Sequence, residues 1–373
     1  MQTSKQETVR IADIGDYLKV FAFSAVVLQP ILSLILKTHP SHHIQLIAGI
    51  LYNLVKYTAP AFIFGILYTS IRTNPNANLS DYSSHMRKQW HALFVPTIWW
   101  TLIYLLIMPW VQQREKFHNF ASFLWQFING NAAPHMWYNT MMLQFIIIMP
   151  FFWALAHYVN NNPKRGITIA IITLIGYFLW LVFYDVNVFH GPHANNWYLL
   201  DRIFISFIIY GIFGVLAWKF NQPVNKWLRK HWKLLILFVV IMFIWTNVEL
   251  HSFGYPVSLS NAPYYKPSMT LYSLGIIGLI AALCIWHTEV KKDKVLTIFH
   301  FLATYAYRAF LSYIFWLQIL WRLTNFSNFN INHPILTIII CWILTWLISF
   351  FSAIIIHKIW HQIKISLNLV KKG

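Results

Sequence analysis

Five cationic side chains, Lys19, Lys56, Arg202, Arg308 and Arg322, stand inside or at the edge of long apolar stretches. An ionisable group in hydrocarbon costs at least about 2.5 kcal/mol on insertion scales, so each needs a partner, a wet cavity or a route to the interface. Lys19, with Asp16 nearby, opens the first stretch; Asp201 and Arg202 open the sixth, and Arg322 closes the ninth. For these, snorkelling to the headgroups is as good an account as a functional site. Lys56 and Arg308 lie deeper. Lys56 precedes "YTAPAF", where Pro60 lacks an amide donor and is expected to kink the helix beside the charge. Arg308, in "TYAYRAFLSY", can hold a phosphate or carboxylate through its forked donors, or be neutralised by Asp185 or Asp201. Lys56 and Arg308 are expected to share one polar cavity open to the cytoplasm.

Histidine is the second chemical clue. Neutral imidazole accepts a proton near physiological pH, so a histidine on the outer side can serve as general base for an extracellular hydroxyl. His135, in "NAAPHMWYNTMMLQF", joins a proline turn, an indole and Gln144 at the start of the fourth apolar stretch. It is the first candidate for that role, a structural helix cap being the competing reading. No His-x3-His pair accompanied by a carboxylate suggests zinc, and no metal is expected. Cys284 and Cys341 fall inside apolar stretches without ligand spacing and read as packed thiols.

These residues sit on ten apolar segments: Tyr17–Leu36, Ile44–Ile71, Ala92–Val111, Met136–Val159, Ile167–Val186, Leu199–Phe220, Leu234–Val248, Ser268–Thr288, Val295–Leu323 and Ile335–Trp360. A bilayer core takes about 20 apolar residues as helix, because every backbone amide must be satisfied within the segment. With 58% hydrophobic and 10% charged residues, the chain reads as an all-α polytopic membrane protein of about ten transmembrane helices. Of 28 Lys and Arg, 19 fall on the face holding both termini, four on the other face and five within or beside spans. By the positive-inside rule both termini are cytoplasmic. The formal charge of +18 therefore belongs beside anionic headgroups, with no nucleic acid implied.

Trp90, Trp110, Trp197, Trp232 and Trp360 fall near span ends, where amphipathic rings anchor. "FASFLWQFING" is expected to lie as a short interfacial helix. Residues 1–15 read as a cytoplasmic leader, 16–361 as the membrane domain and 362–373 as a basic cytoplasmic tail. The first span sits too deep behind a polar leader for a cleavable signal peptide. No Gly-rich phosphate loop is evident, which disfavours an ATP-driven pump. Neither inverted repeats nor paired broken helices are evident, which disfavours a secondary transporter.

The segments "DYLKVFAFSAVVLQP", "TAPAFIFGILY", "MRKQWHALFVP", "HMWYNTMMLQFIIIMP" and "IIYGIFGVLAWKF", in this order and spacing, resemble the bacterial membrane acyltransferases of the acyltransferase 3 family, especially those associated with polysaccharide intercellular adhesin. The resemblance covers nearly the whole chain. It implies transfer of an acetyl or succinyl group from cytoplasmic acyl-coenzyme A, acetyl-CoA first, to a hydroxyl of a cell-surface glycan. The setting it implies is a bacterial plasma membrane, among membrane lipids and beside a polysaccharide synthase or export complex. It also implies a cationic inner mouth for the coenzyme phosphates, for which Lys56, Arg87, Lys88 and Arg308 are candidates. Lys19 and His135 are the candidate catalytic residues.

The chain departs from the family pattern at telling places. The family's first-span Arg, and the His eleven positions later, correspond to Lys19 and Pro30, with Gln29 just before the proline. The ninth-span His-Pro corresponds to Trp316 and Leu317, and the basic opening of the third span is reduced to Arg87, Lys88 and His91. Neither Pro nor Gln is a base at neutral pH. Either His135 replaces the missing imidazole, or the scaffold has lost catalysis and serves polysaccharide export or assembly.

Overall fold

The computed structural model describes residues 11–366 apart from 161, 190 and 325. Most of the expected leader, the tail beyond 366 and His190 of the outer loops lie outside the described residues. Sixteen α-helices follow in order: α1 Ile14–Val26, α2 Leu28–Leu36, α3 His42–Leu54, α4 Thr58–Thr73, α5 Tyr82–Gln89, α6 Val95–Ile107, α7 Phe120–Ile128, α8 Met136–Ile147, α9 Met149–Val159, α10 Pro163–Tyr184, α11 Ile208–Lys219, α12 Asn221–His251, α13 Pro267–Glu289, α14 Asp293–Leu323, α15 Phe326–Asn332 and α16 Pro334–Ser366. No strand occurs among the described residues. Helix starts follow ordinary capping chemistry. The Asp13 carboxylate accepts from the Asp16 amide at 2.7 Å, and Asn162 caps α10 ahead of Pro163.

Among the described residues seven continuous or paired helices are long and apolar enough to cross a bilayer, and α8 with α9, bent by 54°, makes eight. They match eight of the ten expected spans. The sixth is a shorter apolar helix, Phe204–Lys219, and the ninth lies in α14, which carries Asp293, Lys294, His300, Arg308 and Arg322 along its 31 residues. Large apolar side chains such as Ile171, Leu179, Leu237, Ile244, Leu347 and Phe351 stand exposed on α10, α12 and α16, a surface that only lipid covers without penalty. All five interface tryptophans are exposed. α7 holds Phe120, Leu124, Trp125 and Ile128 outward and buries Gln126, as an interfacial helix should. Both cysteines are free and buried.

α4 packs between α1 and α11, and α1 also meets α13 and α14. In hydrocarbon, close helix packing depends on small residues that let backbones touch. A Cβ on Gly15 would stand 2.0 Å from Thr69 Oγ1, and one on Gly214 2.6 Å from the Phe64 carbonyl oxygen. Polar contacts mark the two ends of the bundle. At the basic end Arg72 pairs with Asp13 at 2.6 Å, Tyr17 meets His287 at 2.7 Å and Arg229 pairs with Glu289. At the opposite end Asn330 reaches Thr38 at 2.8 Å, and the Val257 amide reaches Gln45 at 3.0 Å.

Among the described residues three spans are interrupted, the first only by a turn residue that keeps helical dihedrals, and α12 is kinked at His231. α1 gives way to α2 at Val27, α3 to α4 across Val55, Lys56 and Tyr57, and α8 to α9 at Ile148. The second break is not at Pro60, as the sequence suggested. Pro60 occupies the first turn of α4, where a missing amide costs nothing, and the break falls on Lys56 itself. The freed carbonyls find donors from other helices: Leu54 accepts from the Tyr272 hydroxyl at 2.8 Å and Val55 from Gln29 Nε2 at 2.9 Å.

Candidate active site

Three hollows lie in series through the bundle. An outer basin of about 720 Å³ is lined by Gln29, Pro30, Lys56, Trp137, Asp201, Arg202, Tyr264 and Tyr313, among others. A neck of about 30 Å³ shares Gln29, Pro134, Trp137, Tyr264 and Tyr313 with the basin. A vestibule of about 300 Å³ shares Phe62, Tyr138 and Phe310 with the neck and reaches Lys19, Thr69, Ser70, Thr73 and Gln89 toward the basic end. The neck has room for little more than water. A further hollow of about 550 Å³ between α10, α11, α12 and α13, with Ile14, Phe64 and Tyr68 of α1 and α4, carries no charged lining residue.

The basin wall is held by a polar clamp. Arg202 bonds Asp201 at 2.6 and 3.2 Å, and its other arm donates to the Asn129 carbonyl at 2.9 Å and to Asn131 Oδ1 at 2.7 Å. Asn131 in turn donates to the Tyr198 hydroxyl at 3.1 Å, and the Arg114 guanidinium lies 4.0 Å from the Tyr198 ring centre. The Tyr265 hydroxyl donates to the Asp201 carbonyl. The segments on both sides of α7 are thereby fixed to the turn before α11. Lys266, in the loop before α13, pairs with Glu249 at 3.9 Å; burial pushes its ammonium pKa down, with Glu249 and Asp185 opposing. Aromatic faces surround the hollow, from Tyr52, Trp137, Tyr184, Tyr198, Tyr264, Tyr265 and Tyr313.

The neck is closed by rings. Phe62, Tyr138 and Phe310 meet pairwise at centroid distances of 5.4, 5.7 and 5.3 Å. Gln29 stands where neck and basin join; its Nε2 donates to the Val55 carbonyl at 2.9 Å and to Thr58 Oγ1 at 3.1 Å, with the Tyr264 hydroxyl at 3.4 Å. Gln29 is thus at the junction, and Pro30 beside it lines the basin.

His135 lines the neck, 3% exposed, with its ring edge-on to Tyr104, Phe310 and Tyr313 at 5.3, 5.1 and 4.9 Å. Neither ring nitrogen has a hydrogen-bond partner. It precedes α8 without a side-chain capping bond, so the cap reading fails. Lys19 is elsewhere, on the vestibule wall 3.3 Å from Asp16, whose other oxygen meets His300 Nδ1 at 2.8 Å. The two catalytic candidates are therefore not brought together. Arg87 and Lys88 are exposed on α5, next to the vestibule residue Gln89. Trp316 points away from all three hollows and donates to Ser352 Oγ at 2.8 Å.

One expectation is corrected outright. Lys56 and Arg308 share no cavity, and Lys56 does not face the basic end. The break turns Lys56 toward Tyr52 and Tyr264, so its ammonium belongs to the outer basin. On α14 the vestibule face is Ala303, Tyr307 and Phe310; Arg308, about 100° further round the helix, lines none of the three hollows. It pairs with neither Asp185 nor Asp201 among the described residues. No group of three or more potential metal ligands occurs among the described residues. Sequence reasoning missed the basin tyrosines and Gln29's position at the junction. The adjacent Tyr264 and Tyr265 in an otherwise polar outer loop were the available signal.

A helical bundle with up to eight spans among the described residues long and apolar enough to cross a bilayer, and with hollows toward both ends, defines a multi-pass membrane protein. A family model described as an acyltransferase domain matches residues 15–356, and the chain belongs to this acyltransferase 3 family. No curated protein matches the chain, and no solved structure does.

Proposed function

We propose that the chain transfers an acetyl or succinyl group from cytoplasmic acyl-coenzyme A to a hydroxyl of an extracytoplasmic saccharide, in the plasma membrane of a bacterium. The supporting observation is the alignment of vestibule, neck and basin, with each neighbouring pair sharing lining residues. In this reading Arg87 and Lys88 receive the coenzyme phosphates and Lys19 lines the path of the pantetheine arm. The thioester reaches the neck, and the acceptor sugar stacks on the aromatic faces of the basin.

His135 is the base in this reading. Among the described residues it is the one imidazole lining any of the three hollows, and both its nitrogens are unengaged. It takes the acceptor hydroxyl proton as the oxygen adds to the thioester carbonyl; the C–O bond forms, the C–S bond breaks, and the proton passes to the departing coenzyme thiolate. The test compares surface glycan from cells with and without the chain, measuring O-acyl groups released by mild base. Loss of those groups on deletion is expected. Unchanged O-acylation together with failed glycan export replaces the proposal with an export or scaffold role, which Gln29 and Pro30 at the usual imidazole position favour.

A further inference from the structure

The charges at the two ends of the passage are arranged differently. Toward the basic end the vestibule cation Lys19 has Asp16, and Arg72 nearby has Asp13. The outer basin is lined by four cations, Lys37, Lys56, Arg114 and Arg202, and by one carboxylate, Asp201. That carboxylate is committed to Arg202 through both its oxygens. Lys37, Lys56 and Arg114 have no carboxylate within 4.0 Å among the described residues, whereas Lys266 outside the basin has Glu249.

Lys56 is the unusual member. It is 6% exposed, its Nζ donates to the Tyr52 hydroxyl at 2.7 Å, and it lies over the Tyr52 and Tyr264 rings at 4.4 and 4.3 Å. An ammonium has three donors, and the rings offset only part of the cost of removing a cation from water. A buried cation without a counter-ion is expensive, and an anion entering the basin would supply one. A neutral sugar would leave the charge only the distant Asp201, already bound to Arg202, and an amino sugar would be repelled. Arg114, its guanidinium carbon 4.0 Å from the Tyr198 ring centre, lines the same basin as a second point of attraction.

We propose that the basin binds a saccharide bearing an anionic group, a carboxylate or a phosphate, and seats that group against Lys56 with Arg114 beside it. This rests on the reading of the basin as the acceptor site, and it names the acceptor's chemical class.

The test measures binding to the full chain in nanodiscs by calorimetry, without acyl donor, so that binding and transfer are judged separately. Trigalacturonate, glucose 1-phosphate, neutral chitotriose and the cationic chitosan trisaccharide are the probes. An anionic probe should bind at least about tenfold tighter than chitotriose, and the chitosan trimer weakest. Preference for trigalacturonate assigns the anion as carboxylate, and preference for glucose 1-phosphate assigns it as phosphate. Lys56→Met should abolish the preference at unchanged thermal stability, Lys56→Arg should retain most of it, and Arg114→Gln should reduce it a few-fold.

Equal affinity for charged and neutral probes overturns the proposal, as does a preference that survives Lys56→Met. Free succinate binding as tightly as trigalacturonate, and lost with Lys56→Met, also overturns it by moving the anion from the acceptor to the acyl group. Coenzyme release from acyl-CoA is followed in the same nanodiscs. Its absence alongside an intact anion preference overturns the acyltransfer reading alone.

Discussion

Gln29 acts as a clamp through its Nε2, which holds the Val55 carbonyl and the Thr58 hydroxyl, and an amide has no proton-accepting nitrogen to offer. Basicity at the junction must come from another side chain, and His135 is the imidazole within reach of the neck. His135→Gln keeps much of the size and hydrogen-bonding capacity of the ring but removes its basicity. Acyl transfer should fall by about a hundredfold or more at equal membrane abundance. Normal transfer in this variant, read as acyl groups on the acceptor, would eliminate His135 as the base. The sequence made His135 visible because a polar ring beside a proline turn stands out against an apolar run. It hid the orientation of Lys56, since helical periodicity predicts no side-chain direction where the helix itself is interrupted. The ion pairing of Asp201 was hidden for a related reason: its partner is the adjacent residue, and spacing rules for helix faces say nothing of neighbours in a tight turn.

The interruption of the second span turns Lys56 toward the basin, and the fourth span bends by 54° between α8 and α9. Apolar length alone reveals the spans, but broken and continuous helices have the same hydropathy. Pro60 pointed to the right neighbourhood and the wrong residue. Where the bent elements converge, Phe62 of α4, Tyr138 of α8 and Phe310 of α14 close the neck. A neck of about 30 Å³ cannot admit a thioester arm, so the proposed transfer requires these rings to move. Phe310→Ala should leave the neck open and expose the thioester to water. Acyl-CoA hydrolysis without acceptor should then rise by about tenfold, equivalent to about 1.4 kcal/mol of barrier. An unchanged hydrolysis rate with donor binding intact would mean that the rings do not gate the passage.

For the whole molecule, the sidedness of the bundle decides which hollow meets which substrate. Basic residues crowd the loops of one end, 19 of 28 against four at the other, and the positive-inside rule predicts that this end faces the cytoplasm. This asymmetry is legible from the sequence because it is a property of loops, whereas the passage depends on contacts between residues hundreds of positions apart. Single-cysteine labelling checks it directly, and the background is low because Cys284 and Cys341 are both buried. Ser84, exposed on α5 beside Arg87 and Lys88, should resist a membrane-impermeant maleimide in intact cells after Ser84→Cys and react once the membrane is opened. Ser258, exposed in the loop before α13, should react in intact cells after Ser258→Cys. Labelling of Ser84→Cys from outside would place the vestibule on the wrong side of the membrane for a cytoplasmic donor, and the assignment of Lys19, Arg87 and Lys88 to that donor would fall with it.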